Sequence, residues 1–226
     1  MPPEYAGLSE RTVIRVFRGA GPPRCCAFDL DGVLVDTDEL HYVALNLALA
    51  QFGERIAREE HLATFKGLPT RVKCRMLTEA GRLGEASHPW VFEAKQRFTV
   101  DAIALAVRRD EGKVALLEAM VHDGWRLAVC SNAIHATVAA LVKAVGVENL
   151  VDFALSNEDV ERPKPNGEIY RKAAERFGVS PQDLIVVEDA LNGRAAAEDA
   201  GCRLVAVEGP HEVGMDLLPR LCRAAE

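Results

Sequence analysis

Three carboxylates follow an apolar run close to the start of the chain. Cys25–Phe28 is apolar throughout, and Asp29, Asp31 and Asp36 all lie within the next eight residues. Two like charges about 4 Å apart repel each other by about 4 kcal/mol at an effective dielectric constant of about 20. Positive groups should therefore lie near these carboxylates in the folded chain, and the remaining sequence is expected to supply them.

Further polar residues of the required kinds occur in three later segments, Ser131-Asn132, Lys164 and Glu188-Asp189. Asp29, Glu188 and Asp189 offer only oxygen ligands, without His or Cys, and such hard ligands suit Mg²⁺. Ser131 is predicted to open a helix whose N-terminus can hold an anion, and Lys164 adds a positive charge. Together these groups predict a site for a phosphoryl group, where a carboxylate can act as a nucleophile towards phosphorus.

The apolar pattern predicts the elements that position these residues. Five short apolar runs are interpreted as strands, at residues 25–28, 127–130, 153–155, 184–187 and 204–207. Several of them lack alternation, as expected for parallel strands covered on both faces. Helical patterns that end at glycines lie between the strands. This order predicts a doubly wound parallel sheet with a Rossmann-like α/β core. Each polar segment follows a strand, at the edge where such sheets bind ligands.

A long helical stretch interrupts this alternation after the first strand. Residues 38–105 are largely helical in pattern and are predicted to form a small inserted cap domain. The α/β core is assigned to residues 24–37 and 106–226, and residues 1–23 are interpreted as a loosely ordered tail.

The composition is that of an ordinary globular protein. The chain has 226 residues, of which 49% are hydrophobic, and a formal net charge of −7, which speaks against nucleic acid or an anionic membrane as partner. No apolar run approaches the ~20 residues needed to span a bilayer, and no signal-peptide pattern is present. The six cysteines form no C-x-x-C pair. We therefore expect a cytoplasmic protein with buried thiols and a small-molecule partner.

Four short motifs in a fixed order resemble those of the haloacid dehalogenase-like superfamily of phosphotransferases. They are Asp29-Leu30-Asp31-Gly32-Val33, then Ser131, then Lys164-Pro165-Asn166-Gly167, and finally Glu188-Asp189-Ala190-Leu191-Asn192-Gly193. The third motif has Gly167 where the family usually has a second proline, but its lysine is kept. The helical insertion resembles the cap of the subgroup that includes phosphoglycolate phosphatase and β-phosphoglucomutase.

The resemblance implies a role for each motif residue. Asp29 would attack phosphorus and form an aspartyl-phosphate, while Asp31 would protonate the leaving oxygen and then activate water. Asp29, the backbone carbonyl of Asp31 and Asp189 would hold Mg²⁺, with Glu188 close to the ion. Ser131 and Lys164 would hold the phosphoryl group, and Asn132 would orient it.

Several residues of the predicted cap are candidates for substrate contact. His41 matches a position near the hinge of the mutases, although a packing role fits it equally well. Lys66 and Gly67 resemble the substrate-specificity loop of the cap. Arg71 is a further candidate, together with Lys95 and Arg97, although each of these charges is also typical of a solvated helix face. Asp36 is interpreted as a structural group.

The favoured function is a Mg²⁺-dependent phosphatase of a small phosphorylated metabolite. The nearest alternative is a sugar-phosphate mutase similar to β-phosphoglucomutase, which passes the same phosphoryl group to a second sugar. Mutases carry a basic residue shortly after the cap-loop glycine, whereas Leu68, Pro69 and Thr70 precede Arg71 here. A receiver-type signalling domain is a remote alternative, because its acids follow different strands and it needs no helical insertion.

Overall fold

The computed structural model describes residues 24–66 and 68–226. Their contacts divide the chain into two compact units. The first contains the described residues up to Asp36 together with Arg108–Glu226, and the second is Thr37–Val107. The tail predicted for residues 1–23 lies outside the described residues.

The first unit is built on a five-stranded parallel sheet. Its strands are β1 (Cys25–Phe28), β2 (Arg126–Cys130), β3 (Phe153–Leu155), β4 (Leu184–Glu188) and β5 (Arg203–Ala206). They are arranged in the order β3-β2-β1-β4-β5. β1 is therefore central, with Phe28 paired to Val129 on one side and Val187 on the other. The predicted doubly wound α/β fold is confirmed.

Most helices of the two units end shortly before a glycine, as the sequence pattern predicts. In chain order the helices are α1 (Asp38–Ala50), α2 (Thr70–Glu79), α3 (His88–Ala106), α4 (Glu111–His122), α5 (His135–Val145), α6 (Glu168–Phe177), α7 (Leu191–Ala200) and α8 (Leu218–Ala224). Helices α3 and α8 do not end in this way. Gly146, Gly178 and Gly201 end α5, α6 and α7 in the left-handed conformation. Glycine adopts this conformation without the steric cost of a side chain.

The central strands of the sheet are buried because helices cover them. All four residues of β1 are buried, as are all five of β4. One core cluster joins alternate residues of β1, β2 and β4 to the apolar side of α6, including Ile169, Tyr170 and Ala173. This packing explains why the strands appear as continuous apolar runs rather than as alternating patterns.

The second unit has its own small core. Helix α1 packs along α3, and both contribute apolar residues to a cluster that also contains Ile56, Phe65 and Leu77. A short helical turn at Arg58–Glu60 continues into a π-helical segment, His61–Phe65. No helix in the described parts of the chain is long and apolar enough to cross a membrane.

Candidate active site

The first carboxylate lies where β1 ends between two neighbouring strands. The backbone N–H of Asp29 donates to the carbonyl of Val187 at 3.0 Å, which extends the β1–β4 pairing by one step. Glu188 is the last residue of β4, and Cys130 is the last residue of β2. The sheet therefore brings residues far apart in sequence to one edge, as expected for the carboxyl ends of parallel strands.

Lys164 joins the ends of these strands. Its ammonium donates to Asp29 Oδ1 at 2.7 Å, to Glu188 Oε1 at 2.6 Å and to the carbonyl of Cys130 at 2.8 Å. Only 6% of Lys164 and 1% of Glu188 is exposed. The positive group that the carboxylates require is therefore a buried lysine with three oxygen acceptors.

The charges at this edge change one another's proton affinities. Burial raises the pKa of the Asp29 carboxyl well above its usual range, and Glu188 and Asp31 add to the rise while Lys164 opposes it. Burial also disfavours the charged form of Lys164, but Asp29 and Glu188 outweigh it and raise the pKa of the ammonium. Lys164 therefore keeps its proton in the ordinary pH range. The negative charges of the ionised carboxylates outnumber the single positive charge of Lys164.

Three of the carboxylates could hold a metal ion. Asp29, Glu188 and Asp189 each offer an oxygen within 4.8 Å of the other two. Glu188 Oε2 and Asp189 Oδ1 are buried and have no hydrogen-bond partner among the described residues. Buried carboxylate oxygens without partners are costly. An all-oxygen set of this kind fits Mg²⁺ well.

Two motif glycines make room for these carboxylates. A Cβ on Gly32 would lie 2.1 Å from Asp189 Oδ2, and Gly32 also has a φ of +84°. A Cβ on Gly193 would lie 1.8 Å from Glu188 Oε1. Both glycines are therefore needed because a carboxylate occupies the space that any larger residue would take.

Gly193→Ala should lower kcat/KM by about a hundredfold, because the added methyl group forces Glu188 out of place. Alanine is the better helix former by about 1 kcal/mol, so a loss cannot come from weakened helix propensity in α7. Gly112→Ala is the matched control, since that helical glycine has its nearest contact at 3.4 Å. Equal activity of the two variants, measured by steady-state kinetics, would contradict the steric role of Gly193.

The structure corrects the prediction for Ser131. Ser131 does not open a helix, because α5 begins four residues later at His135. The Ser131 hydroxyl instead donates to Asp31 Oδ2 at 3.3 Å and accepts from the backbone N–H of Ala133 at 3.0 Å. These bonds hold Ser131 in a loop turn next to Asp31, so the dipole of α5 does not start at this hydroxyl.

Asn132 binds the loop that carries the lysine. Its side-chain amide donates to the carbonyl of Lys164 at 3.1 Å, and its Oδ1 accepts from the Lys164 N–H at 3.0 Å. The structure thus brings Asp29, Lys164 and Glu188 into direct contact, with Asp189 beside them and Asn132 bonded to the lysine's backbone. The Asp31 carboxylate contacts Ser131 and is not among the three candidate metal-binding carboxylates.

Tyr170 is a site residue that sequence analysis missed. Its hydroxyl donates to Glu188 Oε1 at 2.7 Å, and its ring lies 4.9 Å from the ammonium of Lys164. The tyrosine is fully buried on α6. Its only signal in the sequence was the apolar face of that helix, which predicts packing but not a bond to a carboxylate.

Tyr170→Phe should weaken Mg²⁺ binding by about tenfold, because Glu188 loses the donor that orients it. The phenylalanine fills the same space, so the melting temperature should change little. Isothermal titration calorimetry with Mg²⁺ measures the effect. Tyr42→Phe is the control, since it removes another buried hydroxyl, which donates to the carbonyl of Ile56. Unchanged Mg²⁺ affinity in Tyr170→Phe would show that the hydroxyl has no orienting role.

The candidate substrate residues of the second unit occupy different environments. His41 is half-buried, with Nδ1 at 3.2 Å from the ammonium of Lys95. Lys66 is exposed and pairs with Asp38 at 2.7 Å. Arg71 is exposed on α2, with its guanidinium 6.0 Å from the ring of Phe92. Gly67 lies outside the described residues. A substrate role for any of them stays a prediction.

Comparison with known proteins gives a consistent result over most of the chain. A family model described as haloacid dehalogenase-like hydrolase matches residues 26–207. The chain is 28% identical over 191 residues to a phosphoglycolate phosphatase of Thiobacillus denitrificans, which covers 82% of this chain and 83% of that protein. It is 27% identical over 177 residues to a phosphorylated carbohydrates phosphatase of Thermotoga maritima, which covers 77% and 80% respectively.

A solved structure agrees with the fold. The crystal structure of CbbY from Rhodobacter sphaeroides in complex with phosphate superposes with a TM-score of 0.72 at 27% sequence identity. The match covers 83% of this chain and 87% of that one. The similarity therefore extends over both units of the chain rather than over the sheet alone.

Proposed function

The chain belongs to the haloacid dehalogenase-like hydrolase family, and on this premise we propose a Mg²⁺-dependent phosphatase that acts through an aspartyl-phosphate. The substrate would be a small phosphorylated carbohydrate or carboxylic acid, as the names of the relatives suggest. The observation that carries the proposal is the contact of Lys164 with both Asp29 and Glu188 at the end of the central strand. This arrangement combines a nucleophile, a cation and metal ligands in one buried site.

Asp29 is the proposed nucleophile. Its backbone is fixed by the bond to Val187 and its carboxylate by the bond to Lys164, so the attacking group is held in place before substrate binds. An aspartyl-phosphate forms as the substrate's P–O bond breaks, and the leaving oxygen takes a proton. Lys164 and the hydroxyl of Ser131 would hold the phosphoryl oxygens.

Asp31 is the proposed acid and base. It lies two residues from the nucleophile, half-buried, and receives a bond from the Ser131 hydroxyl that fixes the orientation of its carboxyl group. Asp31 would first protonate the leaving oxygen. It would then accept a proton from the water that hydrolyses the aspartyl-phosphate.

Mg²⁺ would be held by Asp29, Asp189 and the backbone carbonyl of Asp31, with Glu188 beside it. When bound, the ion supplies positive charge that lets a phosphate dianion approach the carboxylates. The partnerless oxygens of Glu188 and Asp189 support this assignment. Tyr170 and Lys164 bond the other oxygen of Glu188 and so leave Oε2 available.

The second unit is proposed as a cap that selects the substrate. A cytoplasmic location is also proposed, since all six cysteines are free thiols and four of them are buried.

Water, rather than a sugar hydroxyl, should take the phosphoryl group. We expect inorganic phosphate as the product because no basic residue follows the cap loop until Arg71, whose guanidinium lies against Phe92. The test supplies hexose 1-phosphate with a trace of the bisphosphate and Mg²⁺. Hexose 6-phosphate and inorganic phosphate are then followed together, beside a panel of phosphorylated acids and sugars. Rapid isomerisation with negligible phosphate release would make the mutase the correct function.

A further inference from the structure

The loop that carries Lys164 is held by side chains at its start, in its middle and at its end. We call residues 161–167 the lysine loop. In the middle, Asn132 bonds both backbone groups of Lys164. At the start, the carboxylate of Glu168 accepts from the backbone N–H groups of the first two loop residues at 2.9 Å and 3.2 Å. The ammonium of Lys164 reaches its three acceptors from this loop, so the position of the loop decides where the positive charge lies.

The end of the lysine loop is bound to helix α7 by Asp199. Oδ2 of Asp199 accepts from the backbone N–H of Gly167 at 2.8 Å. Gly167 is buried, and a buried backbone N–H needs an acceptor. Proline, which the family usually has at this position, has no N–H and could not donate this bond. The bond therefore depends on the combination of glycine and aspartate that this chain has at the two positions.

Arg171 joins Asp199 to the lysine loop a second time. Its Nη1 donates to Asp199 Oδ2 at 3.2 Å and to the Asp199 carbonyl at 2.9 Å. Its Nη2 donates to Asn166 Oδ1 at 3.0 Å. The bond from the Gly167 N–H, followed by those from Arg171, lowers the pKa of the Asp199 carboxyl, so this group is charged in the ordinary pH range. One guanidinium thus connects α6, the lysine loop and the last turn of α7, as its forked shape allows.

The backbone of α7 lies so close to Gly167 that only glycine fits there. A Cβ on Gly167 would lie 2.5 Å from the backbone N of Ala200 and 2.7 Å from the carbonyl oxygen of Ala196. Backbone atoms of a helix cannot move aside as the end of a flexible side chain can. Gly167 has an ordinary φ of −77°, so its backbone conformation is not the reason for glycine. The reason is the close approach of α7, which also brings the short side chain of Asp199 within reach of the Gly167 N–H.

Helix α7 contacts the site at both of its ends. In its first turn, Gly193 packs against the carboxylate of Glu188. In its last turn, Asp199 bonds the N–H of Gly167. The ammonium of Lys164 donates to Glu188, so the two partners of this bond are both held by the same helix. A shift of the lysine loop away from α7 would therefore separate the lysine from its acceptor.

We propose that Asp199 and Arg171 are positioning residues that hold the lysine loop against α7. By fixing the loop, they keep the ammonium of Lys164 between Asp29 and Glu188. Both residues act through the loop rather than on the reacting atoms. Their side chains are 51% and 38% exposed, so replacing them should leave the buried core of the first unit intact. The expected effect on turnover rests on the proposed function, whereas the expected effect on the loop does not.

Hydrogen exchange is the first test, and it does not depend on turnover. Backbone amide exchange is followed by NMR on the full chain after assignment. Asp199→Ala should raise the exchange rates of the Gly167 and Lys164 amides at least about tenfold, because the loop opens more often when it is not held at its end. Glu198→Ala removes the neighbouring exposed carboxylate and should exchange like the wild type. An unchanged rate at Lys164 in Asp199→Ala would overturn the proposal.

Kinetics distinguish a displaced lysine from a less stable protein. Well below the melting temperature, Asp199→Ala should lower kcat/KM at least about tenfold, with a rise in KM, because a small misplacement of a binding group is costly. Inhibition by inorganic phosphate should weaken with it, since Lys164 would hold the phosphoryl oxygens. Asp199→Asn should recover most of the loss, because its amide oxygen can still accept from Gly167. A lower kcat with unchanged KM and unchanged phosphate inhibition would indicate loss of folded protein and would refute the positioning role.

The double variant shows whether the two residues act as one unit. Arg171→Ala should raise the Lys164 exchange rate and KM in the same direction as Asp199→Ala. The double variant should lose little more than Asp199→Ala alone, because both changes remove the same connection. Losses that multiply would refute the role of Arg171. If the wild type hydrolyses no phosphomonoester, the proposed function fails, while hydrogen exchange at Lys164 still decides whether Asp199 and Arg171 hold the loop.

Discussion

Asp29→Asn should abolish turnover, with kcat reduced by at least about a thousandfold. A neutral amide cannot attack phosphorus, so the covalent step is lost rather than slowed. The fold should persist, because Lys164 keeps its bonds to Glu188 and to the carbonyl of Cys130. Burial and neighbouring carboxylates already raise the pKa of Asp29, so neutralising it also relieves like-charge repulsion. Phosphate release and circular dichroism, measured on the same preparation, check both expectations.

Asp36→Asn is the matched control for this substitution. Asp36 is an exposed carboxylate seven residues further along the chain, and the same chemical change there should alter kcat less than threefold. A tenth of wild-type activity in Asp29→Asn would exclude Asp29 as the nucleophile. An equal loss in both variants would instead indicate that the effect is a general one of net charge.

The sheet was predictable because strands that are buried on both faces appear in the sequence as continuous apolar runs. The predicted β1 at residues 25–28 and β3 at 153–155 agree with the observed bounds. The predicted β2 and β4 are each one residue too short at one end, and the predicted β5 is shifted by one residue at both ends. Glycines in the left-handed conformation mark the helix ends for the same local reason. Once the strands are placed, the parallel order brings Asp29, Lys164 and Glu188 to one edge.

Contacts that depend on side-chain direction were not predictable. Helical periodicity places Tyr170 on the apolar face of α6, but it cannot show that its hydroxyl reaches Glu188. A lysine in the polar sequence of α2 resembles a solvated charge, whereas Lys73 is buried beside a cavity. Ser131 was assigned to a helix because apolar spacing continues up to it, although hydrogen bonds to Asp31 and Ala133 hold it in a turn.

One lysine is not enough to neutralise the carboxylates of the site. Asp29, Glu188 and Asp189 lie within 4.8 Å of one another, and among the described residues Lys164 is the cation that contacts two of them. Two negative charges are left when all four groups are ionised. Burial, followed by the charge of Glu188, raises the pKa of Asp189. The carboxylates therefore repel one another, and a divalent cation bound between them would offset this repulsion.

Removal of Mg²⁺ with EDTA should stop hydrolysis, and added Mg²⁺ should restore it. Without the cation, a phosphate dianion would face the excess carboxylate charge, where each like-charge pair about 4 Å apart costs about 4 kcal/mol at an effective dielectric constant of about 20. Binding should also stabilise the fold, because the ion binds the native state alone. At a concentration a hundred times its dissociation constant, it should raise the melting temperature by about 5 to 10 °C. Phosphate release and thermal unfolding measure the two effects.

Asp189→Asn links both effects to the same carboxylates. This variant should lose the Mg²⁺-dependent rise in melting temperature together with activity, because one ligand and its partnerless oxygen are gone. Glu198→Gln removes an exposed carboxylate from α7 and should keep both responses. Undiminished turnover after rigorous metal removal would exclude a metal-dependent mechanism. If Mg²⁺ raised the melting temperature of Asp189→Asn as much as that of the wild type, the ion would bind elsewhere. The cluster of Asp29, Glu188 and Asp189 should bind Mg²⁺ more weakly once one of its carboxylates has lost its charge.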